Sequence, residues 1–302
     1  ICQSEGSLIV IRAEDASDFC ATGETSLTNV TVNASGSDPV DLSCLQTIDG
    51  NLTIENSESD SVDLRALQSV DGDLYVGSNS GLEELDLSSL QAVEGYFHLN
   101  ENPQLETLPL DSVVEVEGYL QVEYRGAQKL SMPLLTSATY LNLNQNYETL
   151  EEVSLPSLTE LQYVSSYYNY SGSTGLQIVD LASLEYVGWM QFAYDYNLEV
   201  LTLDSLQDMD SYLQIYNSNM LESLSLPSLQ EAGELRLYSN SGLESLDLPL
   251  LESLDNFYVY DNTSLETLTA PALGCVSDYT LNNNDMTEGD RSALLGQLTD
   301  CD

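Results

Sequence analysis

The chain has 302 residues, with 50 Asp plus Glu against only 6 Lys plus Arg, for a formal charge of −44. That imbalance excludes a nucleic-acid role, which needs basic patches that release counterions from phosphate, and disfavours docking on anionic lipid. Since 42% of residues are hydrophobic and the acids are spread along the whole length, the composition describes a folded domain with an acidic surface, not a disordered acidic tail. Such a surface stays soluble where salt screens its self-repulsion, so the expected habitat is saline or cation-rich.

In chain order, residues 1–50 read as an N-terminal cap with a first irregular coil. Ala13 to Cys20 forms a short acidic helix within it. The opening Ile-Cys-Gln, without an initiator Met, points to a signal peptide already removed. Five cysteines cluster at the two ends, at Cys2, Cys20, Cys44, Cys275 and Cys301. End-stapled caps imply an oxidising compartment, hence a secreted or cell-surface protein. The pairing expected is Cys2–Cys20 and Cys275–Cys301. Cys44 aligns with Ala66 and Ser89 of later units, in a small-residue slot, and is left as a free thiol. No run of about 18 apolar residues occurs, so no direct membrane insertion is expected.

From 51 to 278 the sequence falls into ten units of roughly 22 to 26 residues, approximating x-L-x-L-x-x-N-x-x-L-E-x-L-x-L-x-x-L-x-x-V-x-G. Asp73 to Gly95 and Tyr212 to Glu234 are clear examples. The units at 119–138 and 163–188 are irregular, the second carrying a Tyr/Ser/Gly insertion. Each unit holds two alternations of apolar and polar residues, such as Leu213-Gln214-Ile215 and Leu224-Ser225-Leu226. Period two means a strand with one buried face. Asn and Gly at fixed offsets in the units, such as Asn240 and Gly242, mark the turns between such strands. A unit this small cannot bury its own leucines, but stacked coils can, and stacking sets equivalent strands side by side in parallel sheets. The expected fold is mainly β, a parallel β-solenoid treated as one domain. Residues 279–302 close it with a helix from N-cap Thr287 to about Leu298.

The chain resembles the receptor L-domain-like leucine-rich repeats of growth-factor and insulin-type receptors, and is similar to secreted bacterial and fungal cell-wall members. The residues that carry the likeness are Cys2 and Cys20 around a short helix, the phrase "IDGNLTI" at Ile48 to Ile54 with its echoes "VDGDLYV" and "VEGYFHL", and the "NNN…LLGQL" ending from Asn282 to Leu298. The resemblance implies a right-handed β-helix that recognises proteins or glycans, or helps build cell surfaces, without catalytic hallmarks. The chain departs from the receptors in lacking a Cys-rich module, a membrane span and a basic surface.

In a solenoid a residue's address is its column, with successive coils about 4.8 Å apart. One column just before the first strand reads Tyr96, Tyr119, Tyr140, Tyr163, Trp189, Tyr212. A second, after the strand, reads Tyr167, Tyr216, Tyr238 and Tyr260, broken at Ala193 with Tyr194 beside it. Gln121, Asn142, Ser165, Gln191 and Gln214 run between them. Exposed rings around amides suit a glycan or an extracellular protein, a second copy of the chain included. The same tyrosines also fit a purely structural role, bracing neighbouring strands. A third column is acidic: Asp60, Glu83, Glu106, Glu151, Glu199, Glu222, Glu244 and Glu266, broken by Gln128 and Gln177. It is a Ca²⁺ candidate, since calcium takes carboxylate oxygens, beside the plainer alternative of a solvated acidic face. No other cofactor is expected.

No enzyme motif occurs: G-x-S-x-G, H-E-x-x-H, phosphate loop and dinucleotide fingerprint are all missing. The single histidine, His98, falls at an outward strand position. N-x-S/T sequons lie at Asn29, Asn33, Asn51, Asn169 and Asn262. The sequence thus leads to a non-catalytic extracellular adhesion or binding module, with a structural subunit of a surface layer, filament or matrix as the alternative.

Overall fold

A computed structural model describes residues 6–123, 126–144, 149–167 and 175–299, with the backbone of 2–4. It is mainly β, a parallel β-solenoid of about 12 turns with a helix near the C-terminus. By compactness the chain divides into two units, Ile1–Asn142 with Asn146–Ser154, and Leu143–Gln145 with Leu155–Asp302.

In the first unit the strands Ser7–Val10, Asn29–Val32, Leu52–Glu55, Leu74–Gly77, Phe97–Asn100, Glu115–Glu123 and Ser137–Asn142 pair in parallel, each with the next. The stacking therefore begins upstream of residue 51. Alternation works as the pattern requires, with Leu74, Val76, Phe97 and Leu99 fully buried while Tyr75 and His98 face out. The first strand's outer edge is covered by the antiparallel segment Cys2–Ser4, which blocks edge-to-edge growth. The return side carries short strands, Val40–Asp41, Ser61–Asp63 and Glu84–Asp86, and separately Lys129–Ser131 with Glu152–Ser154. Helix α1 spans Ala13–Cys20 and buries Ala16 and Phe19. The Asp15 carboxylate accepts the Arg12 and Ile11 backbone N–H groups at 2.9 and 3.2 Å, which holds its pKa below the usual carboxylate value.

The N-terminal disulfide differs from expectation. Cys20 is bonded to Cys44, with Cα atoms 5.6 Å apart, so Cys2–Cys20 does not form and Cys44 is not a free thiol. The column alignment of Cys44 with Ala66 and Ser89 holds, since Asp41 pairs with Asp63 and Asp63 with Asp86. What the alignment could not convey is that α1 packs along Val40–Asp41, which brings the helix's last residue over the Cys44 turn. The disulfide ties the cap to the first coils.

In the second unit Glu160–Tyr167, Tyr186–Ala193, Asp208–Tyr216, Glu231–Tyr238, Ser253–Tyr260 and Cys275–Thr280 form one parallel ladder. These strands reach four or five residues further upstream than the three-residue alternations read from sequence. A second inward pair such as Met209 and Leu213 continues the buried face, with register slips absorbed between Met209 and Tyr212. Ile178–Asp180 pairs with Val200–Thr202, and Ser223–Ser225, Ser245–Asp247 and Thr267–Thr269 pair in turn. Helix α2, Glu288–Gln297, starts at Thr287, whose hydroxyl accepts the Asp290 N–H at 3.2 Å. Cys275 is disulfide-bonded; its expected partner, Cys301, lies outside the described residues.

Eight turns among the described residues are built from two columns. The first takes the left-handed backbone, at Asn56, Ser78 and Glu101 in the first unit and at Tyr194, Asn217, Ser239, Asp261 and Asn283 in the second. The next column is fully buried and polar, including Asn79, Asn102, Asn240 and Asn262. Asn240 thus serves as an interior rung instead of an exposed turn residue. The Asn262 amide oxygen accepts the Asn240 N–H at 3.0 Å, while its Nδ2 donates to the Leu237 carbonyl at 2.9 Å. Asn79 and Asn102 repeat the arrangement, their amides linked at 2.9 Å. Such a ladder satisfies backbone groups that an interior turn would otherwise strand.

Candidate functional site: a tyrosine and amide face

The ladder of the second unit sets the predicted columns side by side. Tyr163 pairs with Trp189, and the register of Met190 with Leu213 aligns Trp189 with Tyr212. Across the strand, Tyr167 pairs with Ala193, Ala193 with Tyr216, Tyr216 with Tyr238, and Tyr238 with Tyr260. Between them run Ser165, Gln191, Gln214, Arg236 and Tyr258, in that order. The gap at Ala193 is filled from the turn. Tyr194 adopts φ 62° and sets its ring 5.1 Å from Tyr216 and 6.2 Å from Tyr167.

The rings stand half-buried, outward from the sheet. They do not lie flat, as a platform for a sugar ring would. Tyr216 and Tyr238 are 4.7 Å apart and 9° from parallel, and Tyr238 and Tyr260 are 5.1 Å apart at 4°. Tyr163, Trp189 and Tyr212 stack likewise at 4.6 and 5.5 Å. At these spacings each ring overlaps the next in the offset-stacked arrangement. Neighbours cover the faces, and what reaches solvent is ring edge and hydroxyl. The far face of Tyr212, where the aromatic column ends at Glu234, is covered by the Arg236 guanidinium, 5.6 Å from the ring centroid. Arg236 in turn bridges Glu234 at 2.5 Å.

Polar groups between the columns are joined. Gln191 donates to the Gln214 amide oxygen at 3.4 Å, and Gln214 donates to the Tyr238 hydroxyl at 2.9 Å. Burial raises the pKa of Tyr212, Tyr216 and Tyr238 above the ordinary phenol value. Tyr186, at the strand's outer end, is pushed up to about 12 because its hydroxyl donates to the Asp210 carboxylate at 2.5 Å. These phenols remain protonated donors throughout the neutral range.

The face is also singled out by what it lacks. In Glu160–Tyr167, Tyr186–Ala193 and Asp208–Tyr216, no position from the first aromatic column to the second carries a charge. In the next strand the two charges, Glu234 and Arg236, neutralise each other. The acids gather at the strand starts instead, where Asp208, Asp210, Glu231 and Asp255 line a groove of about 450 Å³. Position by position the sequence contains this information. The acidic column announces itself by its presence along the chain, whereas an exclusion from three columns shows only once the strands are in register.

In the first unit Tyr96, Tyr119 and Tyr140 also form a column, with centroids 4.8 and 4.2 Å apart. Tyr96 meets Tyr119 at 88°, edge to face, and is 52% exposed. The face beside it is not charge-free, since Glu123 follows Asn100 in register. His98 lies edge-on to Tyr75 at 5.3 Å, half-buried, with its pKa lowered by burial.

The acidic column is a true column. Glu83 donates its backbone N–H to the Asp60 carbonyl at 2.9 Å, Glu244 to Glu222 at 2.8 Å, and Glu266 to Glu244 at 3.1 Å. Glu106 and Glu199 are exposed like the others, and Glu151 is half-buried. Among the described residues no three Asp, Glu, His or Cys side chains converge in a group able to hold a metal ion. Of the sequons, Asn262 is buried in the amide ladder and inaccessible to a glycosylating enzyme in the folded chain. Asn169 lies outside the described residues. Compared with known proteins, the chain matches no family model and no curated protein.

Proposed function

We propose that this chain is a non-catalytic binding or adhesion module of the cell exterior, which recognises a glycan or a protein through the face between Tyr163 and Tyr260. The observation that carries this reading is the exclusion of net charge from that face, on a chain whose formal charge is −44. A surface needed only for solubility has no reason to spare one patch, whereas a recognition surface does, because each buried unpaired carboxylate would oppose binding. The resemblance to receptor L domains agrees with it. A second reading, a structural subunit of a surface layer or matrix assembling through the same face, draws on the same exclusion of charge, because like-charged copies can meet there without opposed carboxylates.

Trp189, the only tryptophan, sits inside the first aromatic column and reports on both. Its emission is to be followed with rising protein concentration, with and without Ca²⁺, and then with polysaccharides added to dilute protein. A blue shift only with ligand supports the binding module. A shift with protein concentration alone selects the subunit. Emission already blue and unquenchable in dilute monomer refutes an accessible face.

A further inference from the structure

We infer that the ligand of this face is an uncharged, hydroxyl-rich polymer, a neutral glycan, held mainly by phenol and amide groups instead of by ring faces. The inference rests on the binding reading above and names the ligand's chemistry.

Three observations select it. The first is charge. An anionic polymer must approach a strongly acidic chain, and the patch offers it one cation, Arg236, already paired with Glu234. A basic peptide is drawn to the molecule at long range but finds no unpaired carboxylate within the patch. The exposed end of the aromatic column, the place where its cation would sit best, is taken by Arg236 over Tyr212. A neutral ligand meets neither obstacle.

The second is hydrogen bonding. The chain from Gln191 to Gln214 to the Tyr238 hydroxyl runs in one direction. Tyr238, as its terminal acceptor, keeps its own proton to donate. A hydroxyl both donates and accepts, and a sugar carries several, so one sugar can continue such a chain where an apolar side chain would leave it unsatisfied. The third is repetition. Rings and amides recur at the coil spacing of about 4.8 Å, and the two aromatic columns lie four residues, or about 13 Å, apart across the strands. A face on which rings recur over successive coils, with amides on the two adjacent coils of Gln191 and Gln214, suits a polymer with a repeating unit better than a single small sugar.

The test uses the full chain and four probes, read by Trp189 emission and by retardation in gels containing the polymer: galactomannan, mixed-linkage β-glucan, alginate and polylysine, each at low and at molar salt. The expected result is binding to at least one neutral polymer, with affinity almost independent of salt. Binding should weaken about tenfold in a Gln191→Ala, Gln214→Ala double variant, which deletes two hydrogen-bonding groups, and less in Tyr238→Phe, with an unchanged urea midpoint in each. Polylysine binding that collapses with salt, while neutral polymers fail, overturns the neutral-glycan inference; if Trp189→Ala abolishes that binding, the face itself still stands. Alginate binding alone overturns the inference in the same way. Neutral-polymer binding indifferent to the glutamine pair, Tyr238 and Trp189 overturns both the inference and the face. Binding to none of the four overturns the inference, and the protein-concentration series then decides whether the face serves self-association.

Discussion

Asn262→Ala tests whether the buried amide ladder holds the coils together. In the native chain the Asn262 oxygen accepts the Asn240 N–H at 3.0 Å and the Asn240 side-chain amide at 3.2 Å. Its Nδ2 donates to the Leu237 carbonyl at 2.9 Å and to Asn284 at 3.3 Å. Asn240 and Leu237 are fully buried or nearly so. Truncation therefore strands a backbone donor and a backbone acceptor where water does not reach, at about 1–3 kcal/mol each, and breaks the amide chain on both sides. The expected total loss is about 3–5 kcal/mol. Urea unfolding monitored by far-UV circular dichroism measures it, with the slope checked for constancy so that a midpoint change can be read as stability. In a solenoid the damage should concentrate in the coils on either side, so amide exchange of Leu237 to Asn240 should accelerate more than that of Leu213 to Tyr216. A loss below about 1 kcal/mol would mean that water enters and satisfies the turn, and that the ladder is an ornament of the fold.

Other outcomes follow from the same geometry. In Gly95→Ala the new Cβ would lie 2.6 Å from the Gly72 backbone of the preceding coil, so the coils must part. A loss of about 1–3 kcal/mol in urea unfolding is expected, against little change for Gly23→Ala in unfolding midpoint beyond the strain of its positive φ. Joint replacement of Cys20 and Cys44 by Ala opens a loop of 24 residues and should cost about 3 kcal/mol on the chain-entropy model, read as a lowered urea midpoint. The raised tyrosines fix the alkaline limb of stability. Tyr186, Tyr212, Tyr216 and Tyr238 keep their protons in the fold above the pH at which the unfolded chain releases them. Their contribution is complete below about pH 10, the unfolded phenol value, and is lost as pH rises through the folded values. Tyrosinate absorbance and the urea midpoint should therefore change together above that pH; titration of all tyrosines with an ordinary phenol value would contradict the stacked, desolvated columns.

Much of this fold is written in the sequence because a repeat states the same instruction many times. Alternation in Leu213-Gln214-Ile215 and its echoes gave the strands, the offsets gave the columns, and the register of Tyr216, Tyr238 and Tyr260 followed without adjustment. Helix α1 and the Thr287 cap were equally legible, since caps are local signals. What sequence could not supply was anything set by one packing event. Cys20 meets Cys44 because α1 lies along one particular strand, and no spacing rule ranks that pairing above Cys2–Cys20. Likewise Asn240 reads as a turn residue by type, but the left-handed residue is Ser239, one position earlier, and the amide turns inward.

Ring orientation decides the chemistry of the face, and the sequence pattern does not carry it. An outward tyrosine offers a ligand either a flat π surface or an edge with a hydroxyl, and alternation along a strand is silent between them. The coil spacing decides. Parallel strands about 4.8 Å apart are too close for aromatic rings to lie side by side in the plane of the sheet, so an unbroken column must tilt and overlap. Tyr216, Tyr238 and Tyr260 do so. Where a column is broken or ends the geometry relaxes: Tyr194, at the break, crosses Tyr216 at 73°, and Tyr96, at an end, crosses Tyr119 at 88°. Uninterrupted aromatic columns on a parallel solenoid should therefore present hydroxyls, and only their ends should present faces. Here one such end is closed by Arg236, which leaves the phenol and amide rows as the chemistry that the face can offer.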